Sequence, residues 1–293
     1  MNTLPDYDSP TALKLYLEER GLGMQKKFGQ NFLVNRSSRT RLVDALGIEK
    51  GSTVWEVGPG LGSMTHEILE RGAELTAFEI DRGFAAVLRD NFSEYPNFSL
   101  IEGDVLKTWE KEFTRAGTPQ CLFGNLPYNI AAVILGDFIS AGIRFERIVV
   151  TVQKEVALRM AAKPDSEDYS SFSVLCQWGY DVKPLMDLAG GSFWPQPNVT
   201  SRAVVLAKRS DWPRCSSPKV FMSLLRGLFS SRRKTLRNNF TAWMALRSEF
   251  TGFPKEFPEQ ILIEAGIDPS ARAETLKVDD FLRLSDTVVS KWA

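Results

Sequence analysis

A run of alternating glycines, placed directly after an apolar strand-like segment, constrains the fold of this chain more than any other feature. Residues 53–57 have the pattern of a buried strand, and Gly58, Gly60 and Gly62 follow at once. The next residues, 63–71, have the apolar spacing of a helix. Because glycine has no side chain, its backbone can approach a ligand closely. A buried strand that ends in such a turn predicts an α/β domain with a ligand site at the carboxyl end of that strand.

Strand-like and helix-like segments alternate along the chain as far as residue 208. We expect strands at 53–57, 74–80, 98–101, 121–124 and 147–152, and helices at 37–46, 63–71, 83–91, 131–141 and 154–161. Such alternation requires right-handed crossovers and therefore a mostly parallel sheet. The segments 171–180 and 199–208 also have strand character, and we expect them to form an antiparallel hairpin at the sheet edge. The predicted fold class is α/β, with a doubly wound, Rossmann-like sheet.

The pattern changes at both ends of this alternating region. Residues 11–19 have helical spacing, and from residue 219 onward the spacing is again helical, with no further strand alternation. We therefore divide the chain into an N-terminal helical extension (1–25), a Rossmann-like domain (26–209) and a small C-terminal all-helical domain (210–293).

The scarcity of histidine and cysteine limits the chemistry that the side chains can perform. His66 is the single histidine, and the three cysteines are Cys121, Cys176 and Cys215. Their odd number and wide separation argue against a disulfide framework and against a zinc site. A lone histidine also excludes catalysis by a histidine pair. We expect no metal, and a reaction carried by other side chains or by a cofactor.

No segment has the length or apolar character of a membrane anchor or a signal peptide. The longest apolar runs, 130–135 and 148–152, are much shorter than the roughly 18 residues that a membrane span requires. Residues 1–10 are acidic and lack the apolar stretch of a signal peptide. The sequence therefore predicts a cytoplasmic protein with no membrane partner.

The formal net charge is zero, with 36 basic and 36 acidic residues, but the charges are distributed unevenly. The segments 20–43 and 212–248 contain basic residues and no acidic ones. Two such blocks create local positive fields that can hold phosphates even on a neutral protein. The alternative is that each block is a solvated helix face.

The spacing of the glycine turn and two acidic residues indicates the ligand. The G-x-G-x-G pattern is associated with S-adenosylmethionine, whereas dinucleotide folds use G-x-G-x-x-G. Glu79 ends the second strand, where a carboxylate can accept both ribose hydroxyls, and Asp104 follows the third, where it can accept an adenine amino hydrogen. The alternative reading is that these acids are helix caps. We expect that role for Asp81, before a helix that begins at Arg82 or Gly83.

A tetrapeptide after the fourth strand, Asn125-Leu126-Pro127-Tyr128, has the features of an adenine amino pocket. The Asn125 side-chain oxygen and the Leu126 carbonyl can accept the two amino hydrogens, which frees the nitrogen lone pair without a strong base. Pro127 stiffens the turn, and Tyr128 can stack on an extruded base. The alternative is a proline turn with an aromatic staple. Phe193 is a candidate second stacking surface, although a core aromatic is an equal alternative.

A third segment, residues 28–33, lies between the N-terminal helix and the α/β region. Asn31 offers a donor and an acceptor, and the backbone at Leu33 can hold the methionine end of the cofactor. A loop that packs Phe28 and Phe32 on the domain is compatible with this role.

Together these motifs closely resemble those of the ribosomal RNA adenine dimethyltransferases, the KsgA family of small-subunit rRNA methyltransferases. The resemblance begins near Lys26 and extends to the C-terminal helices. It includes residues 28–33, 56–60, 125–130, 195–199 and 229–239. It departs from the family at Ala131-Ala132, where a Ser or Thr and a Pro are expected, and in the N-terminal extension 1–20.

The resemblance implies a class I S-adenosylmethionine-dependent methyltransferase sheet. It implies cofactor contacts at Asn31, Leu33, Gly58, Gly60, Glu79, Asp104 and Asn125. It also implies dimethylation of the N6 amino groups of two adjacent adenosines in a hairpin near the 3′ end of small-subunit rRNA. The protein would act as a monomer on a 30S assembly intermediate. The implied RNA contacts are Phe193, Arg232, Arg233, Lys234 and Arg237.

Two rival functions stay open. A methyltransferase of the erythromycin-resistance type shares this fold and chemistry but acts on large-subunit rRNA, and residues 232–239 argue against it. A non-enzymatic RNA-binding assembly factor would keep the fold only as a scaffold. The intact set Glu79, Asp104, Asn125 and Tyr128 argues against that alternative.

Overall fold

The computed structural model describes residues 4–24, 30–126 and 128–291, without the side chains of residues 128 and 129. The strands are β1 (Phe32–Leu33), β2 (Thr53–Val57), β3 (Glu74–Glu79), β4 (Phe98–Glu102), β5 (Cys121–Asn125), β6 (Arg147–Gln153), β7 (Tyr180–Leu188), β8 (Phe193–Trp194) and β9 (Ser201–Lys208). The helices are α1 (Pro10–Glu19), α2 (Arg36–Leu46), α3 (Ser63–Glu70), α4 (Arg82–Asn91), α5 (Val105–Ala116), α6 (Tyr128–Ser140), α7 (Lys154–Ala161), α8 (Ser171–Gly179), α9 (Pro218–Leu228), α10 (Leu236–Ala245), α11 (Phe257–Glu264) and α12 (Val278–Ser290).

A seven-stranded sheet has the order β4-β3-β2-β5-β6-β9-β7. Neighbouring strands from β4 to β6 pair in parallel, and β9 pairs antiparallel with β6. Because β2, β3 and β5 are parallel neighbours, their carboxyl ends meet at one edge, with Val57 opposite Phe78 and Gly124. This arrangement confirms the predicted α/β class.

The segment 171–180 is not the strand that we expected from its sequence. Residues 171–179 form α8, and the strand beside β9 at the sheet edge is β7 instead. Ser170 and Ser173 form reciprocal capping hydrogen bonds at the start of α8, and burial of Trp178 stabilises the helix further. Tertiary packing and a cap therefore outweigh the local polar–apolar alternation.

A second difference follows β4. The sequence analysis predicted no helix between residues 101 and 121, whereas α5 begins after Asp104 and continues for 12 residues. The helix has a strongly amphipathic pattern and buries Val105 and Trp109. The short pair β1–β8 was also not predicted, because two-residue strands have no detectable period.

The chain divides into two compact units. The first unit comprises Met1–Phe138, Ile143–Ala157 and Val182–Lys208, and it contains the sheet. The second unit comprises Ile139–Gly142, Leu158–Asp181 and Arg209–Ala293. The second unit is mainly helical and has its own apolar interior, which includes the fully buried side chains of Phe221, Phe240, Phe281 and Leu284.

None of the helices in the described part of the chain combines the length and the apolar character that crossing a membrane would demand.

Candidate active site

A cavity of about 260 Å³ lies in the first unit, at the carboxyl ends of β2, β3 and β5. Its wall brings together most of the residues that the sequence analysis selected. The predicted residues that line it are Asn31, Leu33, Gly58, Gly60, Glu79, Asp104, Asn125 and Leu126. A single ligand in this cavity can therefore contact the glycine turn, both acids and the start of the tetrapeptide.

The glycine-rich turn forms one wall and adopts a backbone that favours glycine. Gly58, Gly60 and Gly62 have φ values of +71°, +59° and +92°, a region that L side chains rarely adopt. A Cβ atom at Gly60 would lie 2.9 Å from Cε1 of Phe32. The turn therefore needs glycine both for its conformation and for the aromatic ring that packs on it.

Glu79 is a buried carboxyl group at the end of β3, with an exposed fraction of 4%. Its Oε2 accepts a hydrogen bond from the Gly60 N–H at 3.0 Å, and its Oε1 accepts from the Asp81 N–H at 2.8 Å. Burial raises the pKa of Glu79 to about 7, and backbone hydrogen bonds from Asp81, Gly60 and Ile80 offset part of that rise. Since each carboxylate oxygen has a further lone pair, the group can also accept hydroxyl hydrogens from a ribose.

Glu56 is a second acid in the wall of the cavity, and the sequence analysis did not assign it a role. It lies inside β2, is 1% exposed, and accepts a hydrogen bond from the Thr65 hydroxyl at 2.7 Å. Burial raises its pKa to about 8, and nearby Glu79 adds to the rise. The signal that could have identified it is a carboxylate between Trp55 and Val57 in a buried strand, two residues before the glycine turn.

Asp104 and Asp81 both cap helices, as the alternative reading of these acids suggested. Asp81 accepts hydrogen bonds from the N–H groups of Gly83 and Phe84 at 2.9 and 3.3 Å, which confirms its predicted role. Asp104 accepts from the Leu106 N–H at 3.0 Å and also lines the cavity. For Asp104, capping and ligand contact are therefore compatible.

The side chain of Asn125 is held on both sides. Its Nδ2 donates to the Asn31 carbonyl at 2.9 Å, and its Oδ1 accepts from the Thr151 hydroxyl at 2.5 Å. Thr151 is 1% exposed, and its carbonyl accepts from the Leu126 N–H at 3.0 Å. Thr151 thus orients the start of the tetrapeptide. The sequence analysis missed it, although it is a hydroxyl within the apolar run of β6.

Three other predicted residues do not contribute a described side chain to the cavity wall. Pro127 lies outside the described residues, and so does the side chain of Tyr128, whose backbone begins α6. Phe193 does not line the cavity. It is 4% exposed and packs in the main apolar cluster beside Leu33, in agreement with the core alternative.

Three of the four predicted RNA contacts of the second unit, Arg232, Arg233 and Lys234, lie between α9 and α10, in residues 229–235, which we call the basic turn. Arg233 and Lys234 are exposed. Arg232 donates to the backbone carbonyls of Glu167 and Ser166. At the start of α10, Arg237 is exposed and forms an ion pair with Glu259 at 3.4 Å. Three exposed cations, Arg232, Arg233 and Lys234, therefore lie on this turn, and the hydrogen bonds of Arg232 help to fix it.

One member of the first basic block has no access to a phosphate. Arg39 is 3% exposed and forms ion pairs with Asp8 at 2.6 Å and with Glu67 at 3.5 Å. Its charge is balanced by these ion pairs inside the first unit, so Arg39 does not contribute to a phosphate-binding surface.

The cavity fits S-adenosylmethionine in the chemistry of its walls. Glu79 offers carboxylate acceptors for a ribose, the glycines let the ligand approach the backbone, and Leu33, Val57 and Phe78 supply apolar contact. Two buried carboxyl groups also suit a ligand that carries positive charge. Within residues 4–24, 30–126 and 128–291, no group of three or more histidine, cysteine or acidic residues is arranged to hold a metal ion.

Comparison with known proteins agrees with this chemistry. A family profile described as ribosomal RNA adenine dimethylase matches residues 21–289. The chain is 48% identical over 284 residues to a Treponema pallidum protein named ribosomal RNA small subunit methyltransferase A, covering 97% of this chain and 98% of the relative. A Treponema denticola protein with the same name is 45% identical over 286 residues, covering 97% of this chain and 96% of the relative.

A solved structure has the same architecture. It is a crystal structure of a dimethyladenosine transferase from Plasmodium falciparum, which superposes with a TM-score of 0.75 at 25% identity. The match covers 88% of this chain and 97% of that chain.

Proposed function

The chain belongs to the ribosomal RNA adenine dimethylase family, and from this premise we propose that it dimethylates N6 of two adjacent adenosines in small-subunit rRNA. Members of this family are S-adenosylmethionine-dependent rRNA adenine methyltransferases, and this chain is one of them. The proposed target is a hairpin loop near the 3′ end, on a 30S assembly intermediate. We propose that the enzyme acts there as a cytoplasmic monomer.

The walls of the cavity support the proposed cofactor contacts. When bound, S-adenosylmethionine supplies a methyl group that is already activated on a sulfonium. Glu79 accepts hydrogen bonds from the ribose hydroxyls, and Asp104 accepts one from the adenine amino group of the cofactor. Asn31 and Leu33 contact the methionine end, while Gly58 and Gly60 allow close approach of the backbone.

Asn125 and Leu126 act on the target base. The adenine amino nitrogen is a poor nucleophile, because its lone pair is delocalised into the ring. Asn125 Oδ1 accepts one amino hydrogen with the lone pair that Thr151 does not use, and the Leu126 carbonyl accepts the other. The lone pair is then localised on nitrogen and is free to attack. The bound cofactor would supply the methyl carbon, its carbon–sulfur bond breaking as the nitrogen–carbon bond forms, so that sulfur leaves as a neutral thioether. The methylated nitrogen would then release one proton to solvent. Rate acceleration comes mostly from this positioning and from the acceptors.

The roles of Pro127 and Tyr128 rest on the sequence. We propose that Pro127 stiffens the turn and that Tyr128 stacks on the extruded adenine. Arg233, Lys234 and Arg237 contact rRNA phosphates through exposed charge, and Arg232 supports the turn that carries two of them.

The observation that carries the proposal is the position of the Asn125 carboxamide. It lines the same cavity as Glu79, and hydrogen bonds to Asn31 and Thr151 fix its orientation. A side chain held in this way can present an acceptor to a base without paying a new ordering cost.

The test is to incubate the protein with labelled S-adenosylmethionine and unmethylated small subunits, and then to map the modified nucleotides. The expected result is label on N6 of two adjacent adenosines. An Asn125→Ala variant should lose at least about 100-fold in kcat, while its RNA affinity is retained. The matched control is Asn97→Ala, which removes another half-buried amide of the first unit, bonded to the Ala73 carbonyl and outside the cavity wall.

The outcomes separate the rival functions. Label on large-subunit precursors would favour the erythromycin-resistance type of activity. Tight RNA binding without any methyl transfer would favour an assembly factor. Normal transfer by Asn125→Ala would contradict the assigned role of that residue.

A further inference from the structure

The N-terminal segment 4–20 precedes every motif used so far, yet it contacts the glycine-rich turn directly. Tyr7 is 7% exposed, and its hydroxyl donates a buried hydrogen bond to the Leu61 carbonyl at 3.0 Å. Leu61 lies between Gly60 and Gly62, inside the turn. Burial raises the pKa of Tyr7 far above its ordinary value, so the hydroxyl stays protonated and remains a donor throughout the physiological range.

The same segment is also tied to a second part of the cavity wall, β1. The buried guanidinium of Arg39 donates to the Leu33 carbonyl at 3.1 Å and to the Tyr7 carbonyl at 3.5 Å. It also donates to the Asp8 carboxylate at 2.6 Å. Leu33 belongs to β1 and lines the cavity. Arg39 therefore joins the segment to β1, while Tyr7 joins it to the turn.

Apolar packing supports both links. Side chains of the segment share one buried cluster with two aromatic residues of the cavity wall, Phe32 and Phe84, whose rings lie 5.5 Å apart. The buried members that the segment contributes are Tyr7, Leu13, Tyr16 and Leu17. Phe32 is also the ring that packs on Gly60. The segment thus backs the cavity wall.

We propose that the N-terminal segment is a structural part of the cofactor site and that Tyr7 is a positioning residue for the glycine-rich turn. Three glycines within five residues give this turn much freedom in the unbound protein. Any ordering that binding must impose weakens the affinity, so a fixed turn binds the cofactor more tightly. The Tyr7 hydroxyl fixes the turn at the Leu61 carbonyl, from outside the cavity wall.

The chain offers a matched pair of variants. Tyr16 is a second buried tyrosine of the same segment and cluster, but its hydroxyl donates to Asn91 Oδ1 at 2.8 Å. Asn91 is the last residue of α4 and is outside the cavity wall. Tyr7→Phe and Tyr16→Phe each remove one buried hydroxyl. Only the first removes a contact with the turn.

The experiment measures the Kd for S-adenosylmethionine by calorimetry on the full chain, together with kcat, KM and the melting temperature. Tyr7→Phe is expected to raise the Kd and the KM for the cofactor about five-fold, with kcat at saturation unchanged. Both variants are expected to lower the melting temperature by similar amounts, because each loses one buried hydrogen bond. Tyr16→Phe is expected to leave the Kd for the cofactor within about two-fold of the wild-type value.

An equal Kd for the two variants would overturn the proposal. If both values were raised equally, a general loss of stability would account for them. If neither were raised, the Tyr7 hydroxyl would have no effect on cofactor binding. This inference rests on the cofactor assignment but not on the RNA target. If the wild-type chain binds S-adenosylmethionine and fails to methylate small subunits, the proposed function fails while the comparison of Kd values still decides the role of Tyr7.

Discussion

Glu56 places an ionisable group where it is almost completely removed from solvent. Its carboxyl is 1% exposed, and the single side-chain hydrogen bond from Thr65 offsets only part of the desolvation cost. The pKa rises from its ordinary value of 4.5 to about 8. Between these pH values the folded chain holds a proton that the unfolded chain has lost. The contribution of Glu56 to the free energy of unfolding is therefore full below pH 4.5 and falls as the pH rises to about 8.

We predict that Glu56→Gln stabilises the protein at pH 8 and has little effect at pH 5. Glutamine keeps an acceptor for the Thr65 hydroxyl but has no proton to lose. Thermal unfolding without cofactor should show a higher Tm at pH 8, by about 2–4 °C for each kcal/mol gained. The control is Glu94→Gln, which changes an exposed acid. A Tm lowered equally at both pH values would contradict the prediction.

Whether the sequence alone identifies a residue of the cavity depends on where that residue lies in its strand. Glu79, Asp104 and Asn125 were found because each lies at or just after the end of a strand, and parallel strands bring their carboxyl ends to one edge. Glu56 and Thr151 lie inside strands. The contribution of Thr151 depends on the strand register that places it opposite Asn125. The contribution of Glu56 depends on how Thr65 of α3 packs against β2. One chain read alone contains neither the register nor the packing.

At the scale of elements, the basic turn is a fixed feature rather than a loose loop. Asn239 is 1% exposed, and its Nδ2 donates to the carbonyls of Leu228 and Ser231 at 2.8 and 2.9 Å. The side chain of Thr235 accepts from the Asn238 N–H and caps α10. One buried amide and one cap therefore hold Arg233 and Lys234 in place.

We predict that the double change Arg233→Ala and Lys234→Ala weakens RNA binding without unfolding the chain. Both side chains are exposed, so Tm should stay unchanged. If each contacts a phosphate, the slope of log affinity against log salt should fall by roughly one unit per residue. Filter binding across a salt series measures it. Lys255→Ala, an exposed cation outside the acid-free block, is the control. An unchanged slope would remove the basic turn from the RNA interface.

Helix α8 shows where a local sequence pattern fails to predict secondary structure. Its residues alternate polar and apolar well enough to indicate a strand. Trp178 instead packs against Phe221 with ring centroids 4.8 Å apart and donates to the Pro213 carbonyl at 2.9 Å. Both partners lie more than thirty residues later in the chain, at a distance that a sequence window does not cover.

At the scale of the whole molecule, the two units do not coincide with the two halves of the sequence. Residues Leu158–Asp181 interrupt the first unit and belong to the second. Within the second unit, the Tyr169 hydroxyl donates to the Leu276 carbonyl at 2.9 Å, and its ring lies 6.2 Å from that of Phe229. The sequence-based boundary near residue 209 stays a prediction about domains, but the contacts of this segment run past it.

We predict that a fragment of residues 1–208 is poorly soluble. It retains Leu158–Asp181 but loses Arg209–Ala293, so Tyr169 and Trp178, each 1% exposed in the full chain, become exposed. The fragment should bind a hydrophobic dye and elute as aggregates in size-exclusion chromatography. Replacing both aromatics with serine in the fragment should reduce dye binding. A monodisperse fragment with no dye binding would contradict this view of the units.

The order of the strands along the chain also sets the order in which they are synthesised. Every cavity-lining residue in the described chain precedes residue 152, whereas β9, which covers the edge of β6, ends at Lys208. A ribosome makes the chain from its N-terminus, so the pocket residues emerge before the strand that seals the sheet. The growing polypeptide therefore passes through a stage in which β6 is an open edge, and chaperones or a neighbouring nascent chain would bind there first.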